Sequence, residues 1–437
     1  MVDPNTRSAA GALPAAVPDD DPNTGSRKAP FFRDTPVGHL LQQCADARQA
    51  GALDRDAETA RYWYEQYLAA IEQYPDDPET PTAIFEAVCL LAGRAGTYDP
   101  ERARQLLRQA VGSPHVKPSE KALMLDRLVF LDLVPGQDLR QAFDDLDALA
   151  ETIDNLPENI RPRYYRMLYS VPLRKAQLLS YAQRGTVSVE RLPPELHDQR
   201  PSEYYREYLD LYHDLPPDVR ADAQLPSETT VLAQLARALV RENEGEQAAA
   251  IYRELRDRPD CPMGPATTIK LEAEALDPSH GKVYLETLKQ YEHQYANDPE
   301  VRFALSYDIG VWSSMRGDAE TCINRLEPLL SEMEADGTSR ARQNMRPTVL
   351  YMLGRSYASA QVGDHDTAIE YYVTLIEEYP DAPVVPAALH ELATLYEAVG
   401  DSDAAAACRD YLMSRHPDSP QAQELVIRRT HEEASHP

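Results

Sequence analysis

The sequence predicts an all-α fold, an α-solenoid of short helical hairpins stacked one on the next. Three observations carry that reading. Apolar residues recur with a helical period from residue 37 onward. Proline-marked segments at Pro75, Pro259, Pro380 and Pro417 stand near multiples of roughly 37 to 40 residues. The chain also holds 35 Pro against 18 Gly, and 25 Tyr beside 6 Phe and 2 Trp, which suits many short helices each ended by a proline.

The helical period is clearest at Ala368, Ile369, Tyr372, Leu375, Ile376 and Tyr379, one apolar stripe on one helix. Val349, Leu350, Leu353 and Tyr357 supply the stripe of the helix before it. Leu389, Leu392, Ala393 and Tyr396 supply the one after. Such helices are short and half apolar, so each needs a neighbour to cover its stripe.

The internal repeat is visible without gaps. YPDDPETPTAIFEA (Tyr74 to Ala87) aligns with YPDAPVVPAALHEL (Tyr379 to Leu392), PDCPMGPA begins at Pro259, and PDSP begins at Pro417. A second mark keeps the same register. Gly317-Asp318, Gly363-Asp364 and Gly400-Asp401 each stand four residues from Asp to a small residue, Cys322, Ala368 and Ala405. The glycine is read as the end of one helix, the aspartate as the cap of the next, and the small residue as the place where the two helices approach.

These residues resemble the tetratricopeptide repeat family, whose helix-turn-helix carries Leu-Gly-x-x-Tyr, then Ala, an aromatic, and Pro. Leu353, Gly354, Tyr357, Ala368, Tyr372 and Pro380 follow that pattern. Leu392, Ala393, Tyr396, Ala405 and Pro417 follow it with Arg409 in the aromatic place, and Ile309, Gly310, Cys322, Leu326 and Leu329 follow it more loosely. The resemblance is closest over 300 to 417, looser over 56 to 95 and 230 to 270, and faint elsewhere. It implies TPR-like repeats forming a right-handed superhelix that acts as a protein-protein interaction scaffold or adaptor, holding a partner segment in its groove. The phrase GDxxxAxxxYxxLIxxYPDxP is also similar to the variant found in bacterial cell-envelope accessory proteins.

Along the chain, residues 1–35 read as a disordered Pro/Asp-rich tail, 36–295 as degenerate repeats, 296–430 as well-formed repeats, and 431–437 as a second disordered tail. DPNT occurs twice in the first tail, at Asp3 to Thr6 and Asp21 to Thr24. The net charge is −28, which disfavours a sequence-independent grip on nucleic acid or an anionic membrane. Only seven of the 44 basic residues are lysine, a usage that fits a GC-rich genome or adaptation to salt. The opening residues hold Asp3 and no apolar core of a signal peptide. A cytoplasmic location is therefore expected, and a periplasmic one only if a leader has been removed.

Catalytic and cofactor motifs are missing from the sequence. There is no G-x-x-x-x-G-K-[ST], no G-x-G-x-x-G after a strand and no G-x-S-x-G elbow. His431 and His436 are five residues apart and cannot share a helical face as zinc ligands. Asp19, Asp21 and Asn23 begin like a calcium loop, but Gly25 and Pro30 break the pattern. Cys44, Cys89, Cys261, Cys322 and Cys408 are far apart with no CxxC, which argues against a disulfide framework. Paired acids such as Asp144-Asp145 and Glu377-Glu378 are expected on solvent faces. The reading is a chain without enzymatic activity, metal or cofactor, with a structural subunit of a larger assembly, and then an enzyme with an unrecognised site, as the alternatives.

Two features rise above this background. Residues 161 to 184 contain Arg161, Arg163, Arg166, Arg174, Lys175 and Arg184 and no acid. Tyr164, Tyr165, Tyr169 and Tyr181 interleave with them, and Tyr204, Tyr205, Tyr208 and Tyr212 follow. Such a surface suits an acidic peptide held by charge-assisted bonds and stacking. The competing reading pairs these cations internally with Asp144, Asp147 and Glu151, and gives the tyrosines a packing role.

Overall fold

The computed structural model describes residues 32–49, 57–93, 99–132, 139–183, 194–222, 224–334 and 339–435. These residues form α-helices with short 3-10 turns, and among them there is no strand. Packing divides the chain into two compact units, Met1–Val231 and Leu232–Pro437.

The first unit runs through α1 (Pro36–Gln49), α2 (Ala57–Gln73), α3 (Thr80–Gly93), α4 (Pro100–Val111), α5 (Pro118–Asp132), α6 (Leu139–Asp154), the short α7 (Tyr165–Tyr169), α8 (Val171–Gln183), α9 (Pro201–Asp214) and α10 (Pro217–Asp222). The division between the units falls inside α11 (Glu228–Arg241). The second unit continues through α12 (Gly245–Arg256), α13 (Gly264–Leu276), α14 (Lys282–Gln294), α15 (Pro299–Met315), α16 (Ala319–Glu334), the one-turn α17 (Arg340–Gln343), α18 (Arg346–Tyr357), α19 (His365–Glu378), α20 (Val385–Ala398), α21 (Ser402–Arg415) and α22 (Pro420–Ser435).

Helix boundaries follow from local chemistry. Pro100, Pro201, Pro265, Pro299, Pro347 and Pro386 each sit in the first turn of a helix, where the missing N–H costs nothing and the fixed φ is already helical. The Gly-Asp marks build related turns, the one at Gly363 two residues longer than the other two. Gly317, Gly363 and Gly400 have φ of +80°, +67° and +86°, a left-handed conformation that a β-carbon disfavours. Behind each glycine the aspartate N–H reaches back to the preceding helix, to Ser313, Tyr357 and Tyr396 carbonyls at 2.9, 3.0 and 2.8 Å. The aspartate carboxylate then caps the next helix, accepting from Thr321, Thr367 and Ala404 N–H at 3.1, 3.1 and 3.0 Å.

Inside a hairpin the two helices meet where one side chain is missing. A β-carbon on Gly354 of α18 would lie 2.7 Å from the Tyr372 ring of α19, and one on Gly310 of α15 would lie 2.5 Å from Leu326 of α16. Tyr372, Leu326 and Ala368 are fully buried. The cores continue from hairpin to hairpin: Leu353, Tyr372, Leu375, Leu389, Leu392 and Leu412 belong to one apolar cluster of the second unit. In the first unit Leu41, Tyr67, Ile84, Leu107, Leu128 and Leu146 do the same.

The gap-free sequence alignment has a three-dimensional counterpart. Tyr67 and Tyr372 occupy the same place relative to Glu86 and Glu391, and both rings are buried. Tyr372 Oη donates to Glu391 Oε2, while Tyr351 Oη donates to Glu391 Oε1 at 2.9 Å. Glu86 instead takes Arg48 Nη2 at 2.5 Å. Burial pushes the hydroxyls of Tyr67 and Tyr372 well above the ordinary phenol range, so both stay neutral donors.

The sequence-derived boundaries meet the structure unevenly. The first 31 residues, with both DPNT copies and the calcium-like stretch, lie outside the described residues. Residues 32–35, read as tail, are tied down. Phe32 packs on the first core, Thr35 Oγ1 donates to Asp77 Oδ1 at 3.0 Å, and Arg33 N–H donates to the buried carboxylate of Glu79 at 3.4 Å. Helix α22 runs on through residue 435 into the stretch read as the second tail. One expectation is corrected: Asp145 is not on a solvent face but buried, gripped by both Nη atoms of Arg108.

Ala368 has no exposed surface, so a larger side chain has nowhere to go. Ala368→Leu should lower stability by about 1–3 kcal/mol through overpacking, measured by chemical denaturation. An unchanged midpoint would mean that the α18–α19 interface has room for the three extra carbon atoms of leucine.

Candidate interaction surfaces

The basic stretch begins in a 3-10 turn at Arg161–Tyr164, passes through α7 and enters α8. It does not present one face. Arg161 is half-buried and donates to the Leu156 carbonyl at 3.1 Å. Arg174 pairs with Asp126 of α5 at 2.5 Å. Lys175 pairs with Asp147 of α6 at 2.6 Å and lies over the rings of Phe143 and Tyr204, at 5.7 and 5.5 Å. Lys175 thus realises the internal pairing with the acidic helix. Arg174 is internal too, through a helix the sequence did not suggest.

Arg163 and Arg166 are exposed. Beside them the half-buried rings of Tyr165 and Tyr169 lie 5.2 Å apart, tilted by 42°. Tyr164, Tyr205 and Tyr208 are buried, and Tyr208 Oη donates to the Pro226 carbonyl at 2.9 Å. Tyr204 is half-buried and bonds to Gln199 at 2.8 Å. Along this stretch Arg163, Arg166 and Tyr181 are exposed, Tyr165, Tyr169, Tyr204 and Tyr212 are half-buried, and Tyr164, Tyr205 and Tyr208 turn inward. Arg184 lies outside the described residues.

The second unit holds a cluster that sequence reasoning missed. On α15, Asp308 is buried and receives Lys270 Nζ of α13 at 2.6 Å. Burial raises the Asp308 carboxyl above its ordinary range, with Lys270 opposing that shift. Close by, His280 stacks on Trp312, and Tyr284 closes the edge of the same aromatic group. Lys270, Asp308, His280 and Trp312 come from three separate segments, so no local spacing could have announced them. A missed repeat mark was legible, however. Asn243-Glu244 stands four residues before Ala248, Asn243 has φ of +60°, and Glu244 N–H reaches back to Leu239 at 2.8 Å. This is the Gly-Asp turn with Asn in the left-handed place.

Cys44 and Cys322 are buried, and burial pushes Cys89 up to about 12, which keeps it a protonated, unreactive thiol. Among the described residues no group of His, Cys, Asp and Glu could hold a metal ion, and no helix is long and apolar enough to cross a membrane.

A comparison with protein families matches residues 348–382 to the family described as tetratricopeptide repeat. That stretch covers α18, the Gly363 turn and α19. A search of curated protein sequences returns no match. Among solved structures the chain is similar to the TPR domain of P58(IPK), at 13% identity over 92% of this chain and 100% of that one, with a TM-score of 0.25. It is similar to the APC/C hetero-tetramer Cut9–Hcn1, at 13% identity over 90% and 88%, with a TM-score of 0.33. A human IFIT1 dimer follows at 11% identity over 86% and 81%, with a TM-score of 0.30.

The raised Asp308 carboxyl gives a signed prediction. A carboxyl whose folded value lies above its unfolded one contributes stability below the unfolded value and loses it as pH rises through the folded one. Asp308→Asn should therefore unfold at a higher midpoint than the wild type at pH 7, with the gap closing toward acid pH. Lys270→Met should do the opposite at pH 7, because it leaves the buried charge alone. Thermal unfolding at several pH values checks both, and a neutral-pH loss in Asp308→Asn would show that the ion pair outweighs burial.

Proposed function

We propose that this chain, a tetratricopeptide-repeat array in architecture, is a non-catalytic scaffold that binds a segment of a protein partner. Hairpin arrays present long rows of side chains at fixed spacing, which suits an extended or helical segment better than a small molecule. The observation that carries the reading is the exposed Arg163 and Arg166 beside Tyr165 and Tyr169, in a chain of net charge −28. Cations kept at the surface of so acidic a chain cost nothing to solvate. They offer charge-assisted bonds to a carboxylate-rich segment, and the adjacent rings offer stacking area at low entropic cost. An acidic peptide is the partner chemistry that fits.

Binding and folding can be tested separately within the same basic stretch. Arg166→Glu should leave the unfolding midpoint unchanged and reduce recovery of acidic partners when the full chain is used as bait and captured proteins are identified by mass spectrometry. Wild-type capture should also weaken as salt rises, since exposed attraction is screened within about 8–10 Å. Arg174→Glu should instead lower the midpoint, because it faces Asp126. Undiminished capture by Arg166→Glu would reject this surface.

A further inference from the structure

We propose that His280 is a pH-responsive clasp that fastens the α13–α14 connection to α15. Its backbone lies in the left-handed region, φ +53°, a conformation costly for a residue with a β-carbon unless its surroundings hold it there. What holds it is a ring contact across elements. The imidazole lies parallel to the Trp312 indole, with centroids 4.1 Å apart and planes 10° apart, and meets the Tyr284 ring edge-on at 4.5 Å. Its side chain is only 21% exposed, and Nε2 is 3.4 Å from Glu274 Oε1.

The charged groups around the ring are more often acidic than basic, and the one in contact with it is a carboxylate. From α13 come Glu274, in contact, and Lys270, whose charge is already taken up by Asp308. The connection supplies Asp277, whose carboxylate is held by Ser279 Oγ at 2.6 Å and lies below its ordinary range because of that bond. From α14 comes Tyr284, a phenol pushed upward by burial and therefore neutral. From α15 comes Asp308, whose charge His280 stabilises. Arg316, at the end of α15, is the opposing cation, and its guanidinium is engaged by the Ser279 carbonyl. A proton on His280 converts a neutral stack into a cation–π contact and the Glu274 contact into an ion pair. The first draws the connection onto α15, and the second ties the ring in place from α13. At higher pH only the neutral stack remains.

Two measurements test this. In the wild-type chain, amide hydrogen exchange at residues 279–284, corrected for the intrinsic effect of pH, should slow by about two- to fivefold between pH 7.5 and 5.5. In a Trp63→Phe chain Trp312 is the sole indole, and its fluorescence should fall along an imidazole titration curve as the stacked ring becomes a better electron acceptor. His280→Asn, which tolerates the left-handed backbone, should abolish both responses. A flat Trp312 emission across that range, exchange that does not slow, or a curve that persists in His280→Asn would each overturn the clasp.

Discussion

Everything in each unit depends on how closely the two helices of a hairpin can approach. Each helix is amphipathic and short, so its own hydrogen bonds stabilise it only marginally, and its apolar stripe must be covered by a neighbour. Covering is efficient only where a side chain of one helix enters a gap in the other. Gly354 provides that gap for Tyr372, and Gly310 provides it for Leu326. The left-handed turns at Gly317, Gly363 and Gly400 aim the second helix so that this entry occurs. The first helix of the next hairpin then closes over the pair, as Glu391 does over Tyr351 and Tyr372.

The same geometry explains where much of the acid goes. Acidic residues serve as crosslinks between successive helices. Glu272 of α13 takes Arg253 of α12 at 2.6 Å and Tyr291 of α14 at 2.9 Å. Glu292 of α14 takes Arg325 of α16 at 2.9 Å. Glu327 of α16 accepts from Tyr357 at 2.5 Å and from Tyr371 at 3.3 Å. Tyrosine suits these sites because its ring fills the core while its hydroxyl reaches a carboxylate. Much of its abundance is therefore a packing device, while Tyr62, Tyr74 and Tyr181 are exposed and the Tyr165–Tyr169 pair stays half-buried.

The hairpins of the second unit were legible because their signals are local: glycine before aspartate, a small residue four places on, a proline after the second helix. Asn243-Glu244 obeys the same rule with different letters, and a search for residue types that tolerate the left-handed region would have found it. Pairings across helices were not legible. Nothing near Arg174 in sequence points to Asp126, and nothing near Asp145 suggests burial, because its partner Arg108 lies two helices earlier. The candidate surface was half legible for the same reason. Composition marked the basic stretch, but only packing decides that Arg174 and Lys175 turn inward while Arg163 and Arg166 stay outside.

The contact between Gly354 and Tyr372 is the most direct point at which to test this account, and a double-mutant cycle measures it. If the ring fills the gap left by the glycine, Gly354→Ala should be costly in the wild type and much cheaper once Tyr372→Leu has removed the ring. The two changes should then be coupled by about 0.5–3 kcal/mol in equilibrium denaturation. Costs that add to within about 0.5 kcal/mol would show that the two residues do not share a gap, and would contradict the packing on which the hairpin array rests.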